Sequence, residues 1–239
     1  MYPVEVQLLW LYVSIMFLGA IVFFFMSRNR KGVPRVEYMI AIIIPVWSGL
    51  AYLSMALGQG VLQLNGSIIY FARYIDWVVT TPLLLVALSL TAMFYSKQKD
   101  FIMIGTLVVA DIIMVLSGLL GDLSSGPAVY TWYLVGLSAF LVILYIIWYP
   151  LRQIAQSQSS QLHTTYTIMA GYLTAFWVSY PTVWLLGPSG LGVIGQIADT
   201  MFFVLLPIFS KVGFSLLDLI RLRKINELKG TDIKDRTPL

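Results

Sequence analysis

The sequence predicts an all-α membrane protein of seven transmembrane helices, with its N-terminus outside the cell and its C-terminus in the cytoplasm. Three observations lead there. Of 239 residues only 11% are charged and 59% are hydrophobic, and the mean hydropathy is +0.85; soluble domains carry about one-quarter charged residues. The apolar residues gather into segments of about 20, enough at ~1.5 Å per residue to cross a hydrocarbon core of roughly 30 Å. The Lys and Arg residues of the connections fall on one side of a seven-span arrangement, the side that stays cytoplasmic.

The apolar segments cover 5–27, 36–58, 70–95, 101–120, 128–149, 164–186 and 196–222. Lipid offers the backbone no partners, so segments this apolar must be helices. The first has Glu5 ahead of it and lacks the basic start and small-residue cleavage site of a signal peptide, so it reads as a span. The connection after it carries Arg28, Arg30, Lys31 and Arg35. The one after the third holds Lys97 and Lys99, the one after the fifth Arg152, and the segment after the seventh Arg221, Arg223, Lys224, Lys229, Lys234 and Arg236. The connections of the opposite side have no Lys or Arg, whereas an even span count would scatter the charges over both faces. Residues 1–222 form the seven-helix domain and 223–239 a short, polar, mobile cytoplasmic tail. The expected location is the cell membrane.

The composition also excludes. With no cysteine there is no disulfide, thiol nucleophile or thiolate metal site. One histidine, His163 at the fifth-to-sixth connection, supplies neither a metal cluster nor a triad and reads as a surface residue. The net charge of +4 belongs to one-sided loops and does not point to nucleic acid.

Ionisable residues inside spans are costly and mark function. Lys211 lies near the middle of the seventh helix, too deep to reach an interface. Its amine is stabilised either by an ion pair joining helices or by capture as a Schiff base, since a buried amine of lowered pKa attacks aldehydes. Asp76 on the third helix is its natural partner. Thr80 stands four residues on, on the same face, and can hydrogen-bond that carboxylate. Arg73, one turn away, can hold Asp76 ionised; alternatively the two form a plain helix-end bridge. Asp218 lies two turns beyond Lys211, roughly 10 Å along the axis. Asp218 and Glu37, at the mouth of the second helix, read either as a proton route or as interfacial carboxylates. Asp199 is a link to the outside or a solvated acid at a helix start. Trp77, Trp132, Tyr133, Trp177, Tyr180 and Trp184 are wall material for a flat ligand, or interface belts and packing.

The runs ARYIDWVVTTPLLL around Asp76, WVSYPTVWLLGPSG from Trp177 and LLPIFSKVGFSLLDL around Lys211 resemble microbial (type 1) rhodopsins over essentially the whole chain. SRNRKGVP, PVWSGLAYLSMA and Pro207, which replaces a second aspartate counterion, resemble the xenorhodopsin and Anabaena sensory rhodopsin group within it. The resemblance implies all-trans retinal held covalently as a protonated Schiff base on Lys211, with Asp76 as counterion. It places Arg73, Thr80, Trp77, Tyr52, Trp177, Tyr180 and Trp184 at pocket or counterion-network positions and Asp111, Met114 and Gly118 on the stretch beside the chromophore ring, with Thr81, Tyr133 and Pro207 also in the pocket. Ala87 stands where outward proton pumps of the family carry a carboxylate donor, and the aspartate at 76 is one that chloride pumps lack.

The implied function is transport, not enzymatic turnover: a light-driven inward proton pump, in which the proton leaves toward Asp218 and Glu37 and is replaced through Asp76, Arg73 and Asp199. The alternative is a photosensor signalling to a soluble or membrane transducer. The short tail favours transport. Some xenorhodopsins have tryptophan where Arg73 stands and histidine where Ala41 stands, and this chain, like the sensor, keeps the arginine. Relatives suggest a homo-oligomer, such as a trimer, in the lipid bilayer.

Overall fold

The computed structural model describes residues 3–64 and 67–235. Seven long helices run in chain order: α1 Pro3–Arg28, α2 Arg35–Ala56, α3 Phe71–Ala92, α4 Phe101–Asp122, α5 Pro127–Gln158, α6 Ser160–Leu186 and α7, which starts at Gln196. A two-stranded antiparallel hairpin, β1 Leu62–Leu64 and β2 Ser67–Ile69, joins α2 to α3 and pairs Leu62 with Ile69.

Local chemistry sets the breaks. Pro34 precedes α2, Asp100 caps α4 by accepting from the Met103 N–H at 2.9 Å, and Ser159 caps α6 by accepting from the Leu162 N–H at 3.1 Å. Gly126 takes φ +62°, a left-handed conformation open to glycine, and Pro127 then opens α5 at a position where its missing N–H costs nothing. Each helix packs on the next, and α7 packs on both α6 and α1, so the bundle closes on itself.

Six of these helices are long and apolar enough to cross a membrane by length and composition. The exception is α6, diluted by Thr164, Thr165, Thr167, Thr174 and Ser179. It nonetheless packs against α3, α5 and α7 within the bundle, where Thr174 accepts from Trp148 of α5 at 3.0 Å, while Thr164 and Ser179 donate to carbonyls one turn back in α6.

Proline shapes α7. The helix is α-helical over Gln196–Pro207, π-helical over Ile208–Gly213 and α-helical again over Phe214–Asp235. Pro207 has no N–H for the carbonyl four residues back. That carbonyl, on Phe203, instead accepts the Tyr52 hydroxyl at 2.6 Å. In the widened turn the Phe209 carbonyl accepts the Tyr172 hydroxyl at 3.0 Å, and a Cβ at Gly213 would come within 2.5 Å of that hydroxyl. Lys211 sits inside this segment.

The expected domain edge at 222 does not coincide with the end of a helix. Arg223 donates to the Tyr38 hydroxyl at 2.7 Å and to the Met26 and Asn29 carbonyls at 2.5 and 2.8 Å, and Asn226 donates to the Lys31 carbonyl at 2.9 Å. The carbonyls left open at the end of α1 thus recruit the start of the expected mobile tail. Residues 236–239 of that tail lie outside the described residues.

Candidate functional site

Among the described residues Lys211 is the one buried lysine, 1% exposed, and its Nζ forms an ion pair with Asp76 Oδ2. Two hydroxyls complete the cluster. Thr80 donates to Asp76 Oδ1 at 3.1 Å, as its place one turn along α3 predicts. Ser48 of α2, which carried no charge to attract notice in the sequence, donates to Asp76 Oδ2 at 2.9 Å and accepts from Lys211 Nζ at 2.9 Å. Tyr12 of α1 meets Ser48 at 2.6 Å. Lysine, aspartate, threonine and serine are all withdrawn from the surface, so their mutual attraction is little screened.

Arg73 does not pair with Asp76. Its Nη1 lies 3.2 Å from Asp199 Oδ2, and its guanidinium stacks over the rings of Tyr70 and Phe203 at 4.7 and 4.5 Å. The Asp76 oxygens already accept from Lys211, Ser48 and Thr80, whereas the first turn of α7 delivers a second carboxylate to the arginine. Asp199 is therefore a buried ion-pair partner and not a solvated acid. Glu5, ahead of the first span in the sequence reading, is likewise buried and accepts from the Tyr70 and Thr200 hydroxyls at 3.1 and 2.9 Å.

An apolar cavity lies between α3, α4, α5 and α6, closed on one side by Phe203 of α7. Trp77, Thr81, Met114, Gly118, Trp132, Tyr133, Trp177, Tyr180 and Trp184 line it, together with Tyr74 and Phe140. Tyr52 and Pro207 are not on its wall. Tyr52 is committed to the Phe203 carbonyl and stacks on Tyr12 with ring centroids 3.7 Å apart, and Pro207 acts on the helix backbone. Thr81 donates to buried Asp111 at 2.6 Å. Trp184 donates to the Tyr74 hydroxyl at 3.0 Å, which donates in turn to Asp122 at 2.5 Å.

Toward the other end of the bundle, Asp218 and Glu37 are buried, so neither faces headgroups. Asp218 accepts from Thr91 at 2.8 Å, and the two carboxyls are within electrostatic reach of each other. Lys99, in the α3–α4 connection, donates to the Met93 carbonyl; partial burial pushes its amine below the usual lysine range, against the pull of Glu37. Ala87 is buried and apolar. His163 accepts from Arg152 at 3.3 Å on an exposed edge.

A bundle with one buried lysine ion-paired beside an aromatic cavity defines a class, and comparison with known proteins agrees. The family model for bacteriorhodopsin-like proteins matches residues 4–225. Archaerhodopsin-2 of Halobacterium sp. (strain aus-2) is 37% identical over 228 residues, covering 92% of this chain and 86% of its own. A cyanorhodopsin from Calothrix sp. NIES-2098 has a TM-score of 0.87 at 28% identity, covering 95% of this chain and 98% of its own. A light-driven proton pump from Leptosphaeria maculans has a TM-score of 0.85 at 26% identity, covering 94% and 98%. The chain belongs to the bacteriorhodopsin-like family, the type 1 microbial rhodopsins, multi-pass proteins of the cell membrane that carry retinal as a Schiff base on a lysine.

The residues present fit that group. The cavity walls are almost wholly apolar and aromatic, suited to a polyene. A Cβ on Gly118 would come within 3.2 Å of the Tyr74 ring, narrowing the space there. The wall also adjoins the lysine: Trp77 follows Asp76 in sequence, and Tyr180 bonds at 2.8 Å to Ser210, which precedes Lys211.

Proposed function

We propose that this chain is a light-driven inward proton pump of the xenorhodopsin type, with retinal on Lys211, Asp76 as counterion and the N-terminus outside. Retinal, when bound, supplies light absorption, a change of shape and a nitrogen at Lys211 whose proton can be given up and regained. Asp76 balances the charge on that nitrogen and holds its orientation, itself fixed by Thr80 and Ser48. Arg73 and Asp199 form a buried ion pair one turn from Asp76 on the N-terminal side of the bundle. Trp77, Trp177, Tyr180 and Trp184 exclude water from the cavity.

The observation that carries the direction is the Asp218 carboxyl, buried and bonded to Thr91 with Glu37 beyond it, on a side where position 87 is an alanine. An acid placed there can accept a proton from the lysine side and pass it to Glu37 and the basic end. The orientation rests on Arg28, Arg30, Lys31, Arg35, Lys97, Lys99, Arg152, Arg221 and Arg223, which gather at that same end. With Pro207 in place of a second acid, one carboxylate, Asp76, neighbours the Lys211 nitrogen, and the outward electrostatic pull on its proton is correspondingly weaker.

The retained Arg73–Asp199 pair favours a second reading, a photosensor with no net transport. Illumination of unbuffered cells carrying the pigment separates the two. External alkalinisation abolished by a protonophore is the result expected; acidification means outward pumping, and an unchanged pH means the sensor.

A further inference from the structure

We propose that Tyr12 is a positioning residue for the counterion: its phenol fixes the Ser48 hydroxyl so that this hydroxyl donates to Asp76. The proposal rests on the reading that Lys211 carries retinal and Asp76 balances it. It comes from counting hydrogens. A serine hydroxyl has one hydrogen and two lone pairs. An ionised carboxylate only accepts, so the single Ser48 hydrogen goes to Asp76 Oδ2, 2.9 Å away. Lys211 Nζ, which only donates, takes one Ser48 lone pair at 2.9 Å. The contact between Tyr12 and Ser48 at 2.6 Å then has one possible direction: Tyr12 donates. Ser48 is thereby saturated, and Tyr12→Ser48→Asp76 is a directed chain in which each bond polarises the next.

Covalent linkage changes the count on one atom only. A protonated imine nitrogen at Lys211 keeps one hydrogen in place of the three of an ammonium, so it cannot donate to both Asp76 and Ser48. The lone pair it leaves on Ser48 makes that oxygen freer to turn, and the Tyr12 donor is what still holds it. The phenol has no competing partner drawn from Tyr52, because the Tyr52 hydroxyl is committed to the Phe203 carbonyl. The titratable groups facing Asp76 are Lys211 on α7, Tyr12 on α1, Tyr52 on α2 and Tyr180 on α6, while Arg73 on its own helix is committed to Asp199.

The test is a spectral titration of the retinal-bound full chain, in which protonation of the counterion moves the visible band to the red. Tyr12→Phe removes the hydroxyl and keeps the ring that stacks on Tyr52. It is expected to move the midpoint of the transition about half a pH unit upward, roughly a threefold change in proton affinity. Ser48→Ala moves it at least as far, and adding Tyr12→Phe to Ser48→Ala moves it no further. Ser48→Cys, a weaker donor of similar size, replaces Ser48→Ala in the cycle if the alanine variant does not assemble. An unmoved midpoint in Tyr12→Phe overturns the proposal, and so does an equal shift with and without the serine. Failure of the underlying reading looks different: pigment retained in Lys211→Ala, or no red shift on acidification of the parent.

Discussion

Asp76 is the residue on which most depends, because three donors converge on it from three helices. Replacing it with asparagine keeps the shape and removes the charge. We expect Asp76→Asn to retain a visible band displaced to the red, read directly from the absorption spectrum, and an unshifted band removes Asp76 as counterion. The Arg73–Asp199 ion pair is a separate matter of stability. Asp199→Asn leaves the buried Arg73 guanidinium without its anion, a loss of about 3 kcal/mol for such pairs. It should lower the temperature of thermal bleaching well beyond the effect of an exposed substitution. Lys211, Asp76 and Thr80 were legible in the sequence, since charges in apolar helices are conspicuous and an i, i+4 pair shares a face. The partner of Arg73 was not. Spacing within α3 favoured Asp76, but a side chain's partner is decided across helices, where Asp199 arrives from a segment more than a hundred positions away. Ser48 gave no signal because a single hydroxyl in an apolar helix is ordinary.

At the scale of the helix, the decisive feature is the π-helical stretch after Pro207. The proline frees the Phe203 carbonyl, Tyr52 occupies it, and the widened turn holds Lys211. Pro207→Ala restores a backbone N–H that can reclaim Phe203, leaving the buried Tyr52 hydroxyl without its acceptor. An unsatisfied buried hydroxyl costs about 1–3 kcal/mol. Tyr52→Phe should therefore destabilise the parent chain but be stabilising in Pro207→Ala, a non-additivity read from thermal bleaching of the four proteins. Additive losses would show that proline and tyrosine act independently. The starts of all seven helices were readable to within a few residues, because a 20-residue apolar run has one structural solution in lipid. Their ends were less so. α7 runs past the expected edge, where Arg223 and Asn226 donate to carbonyls at the end of α1 and on the α1–α2 connection, contacts that composition cannot announce. The same holds for Tyr52, assigned to the pocket by resemblance and placed by a backbone defect on the neighbouring helix.

Across the whole molecule, the buried acids divide between the two ends of the bundle. Glu5 and Asp199 lie on the side of Arg73, Asp218 and Glu37 on the basic side, and the Lys211–Asp76 pair stands between them. The one-sided basic loops were visible in the sequence, and so was the list of intramembrane acids. Their burial was not, since a carboxyl near a helix end reads equally as an interfacial group until neighbouring helices are seen to cover it. On the proposed reading, the direction of transport follows from this arrangement, because a proton leaving Lys211 would go to whichever side offers an acceptor. Asp218→Asn tests the point with little structural change. The amide oxygen can still accept from Thr91, as the carboxylate does at 2.8 Å, but the side chain can no longer take up a proton. Colour should stay within a few nanometres of the parent, because Asp218 lies two helical turns from the nitrogen. Light-driven alkalinisation outside the cell should fall about tenfold or more, the usual scale for loss of a proton-transfer group. Glu37→Gln should produce the smaller loss of the two, since the proton it relays has already left the lysine side. Undiminished inward transport in Asp218→Asn would remove this acid from the route and, with it, the reason for assigning the direction.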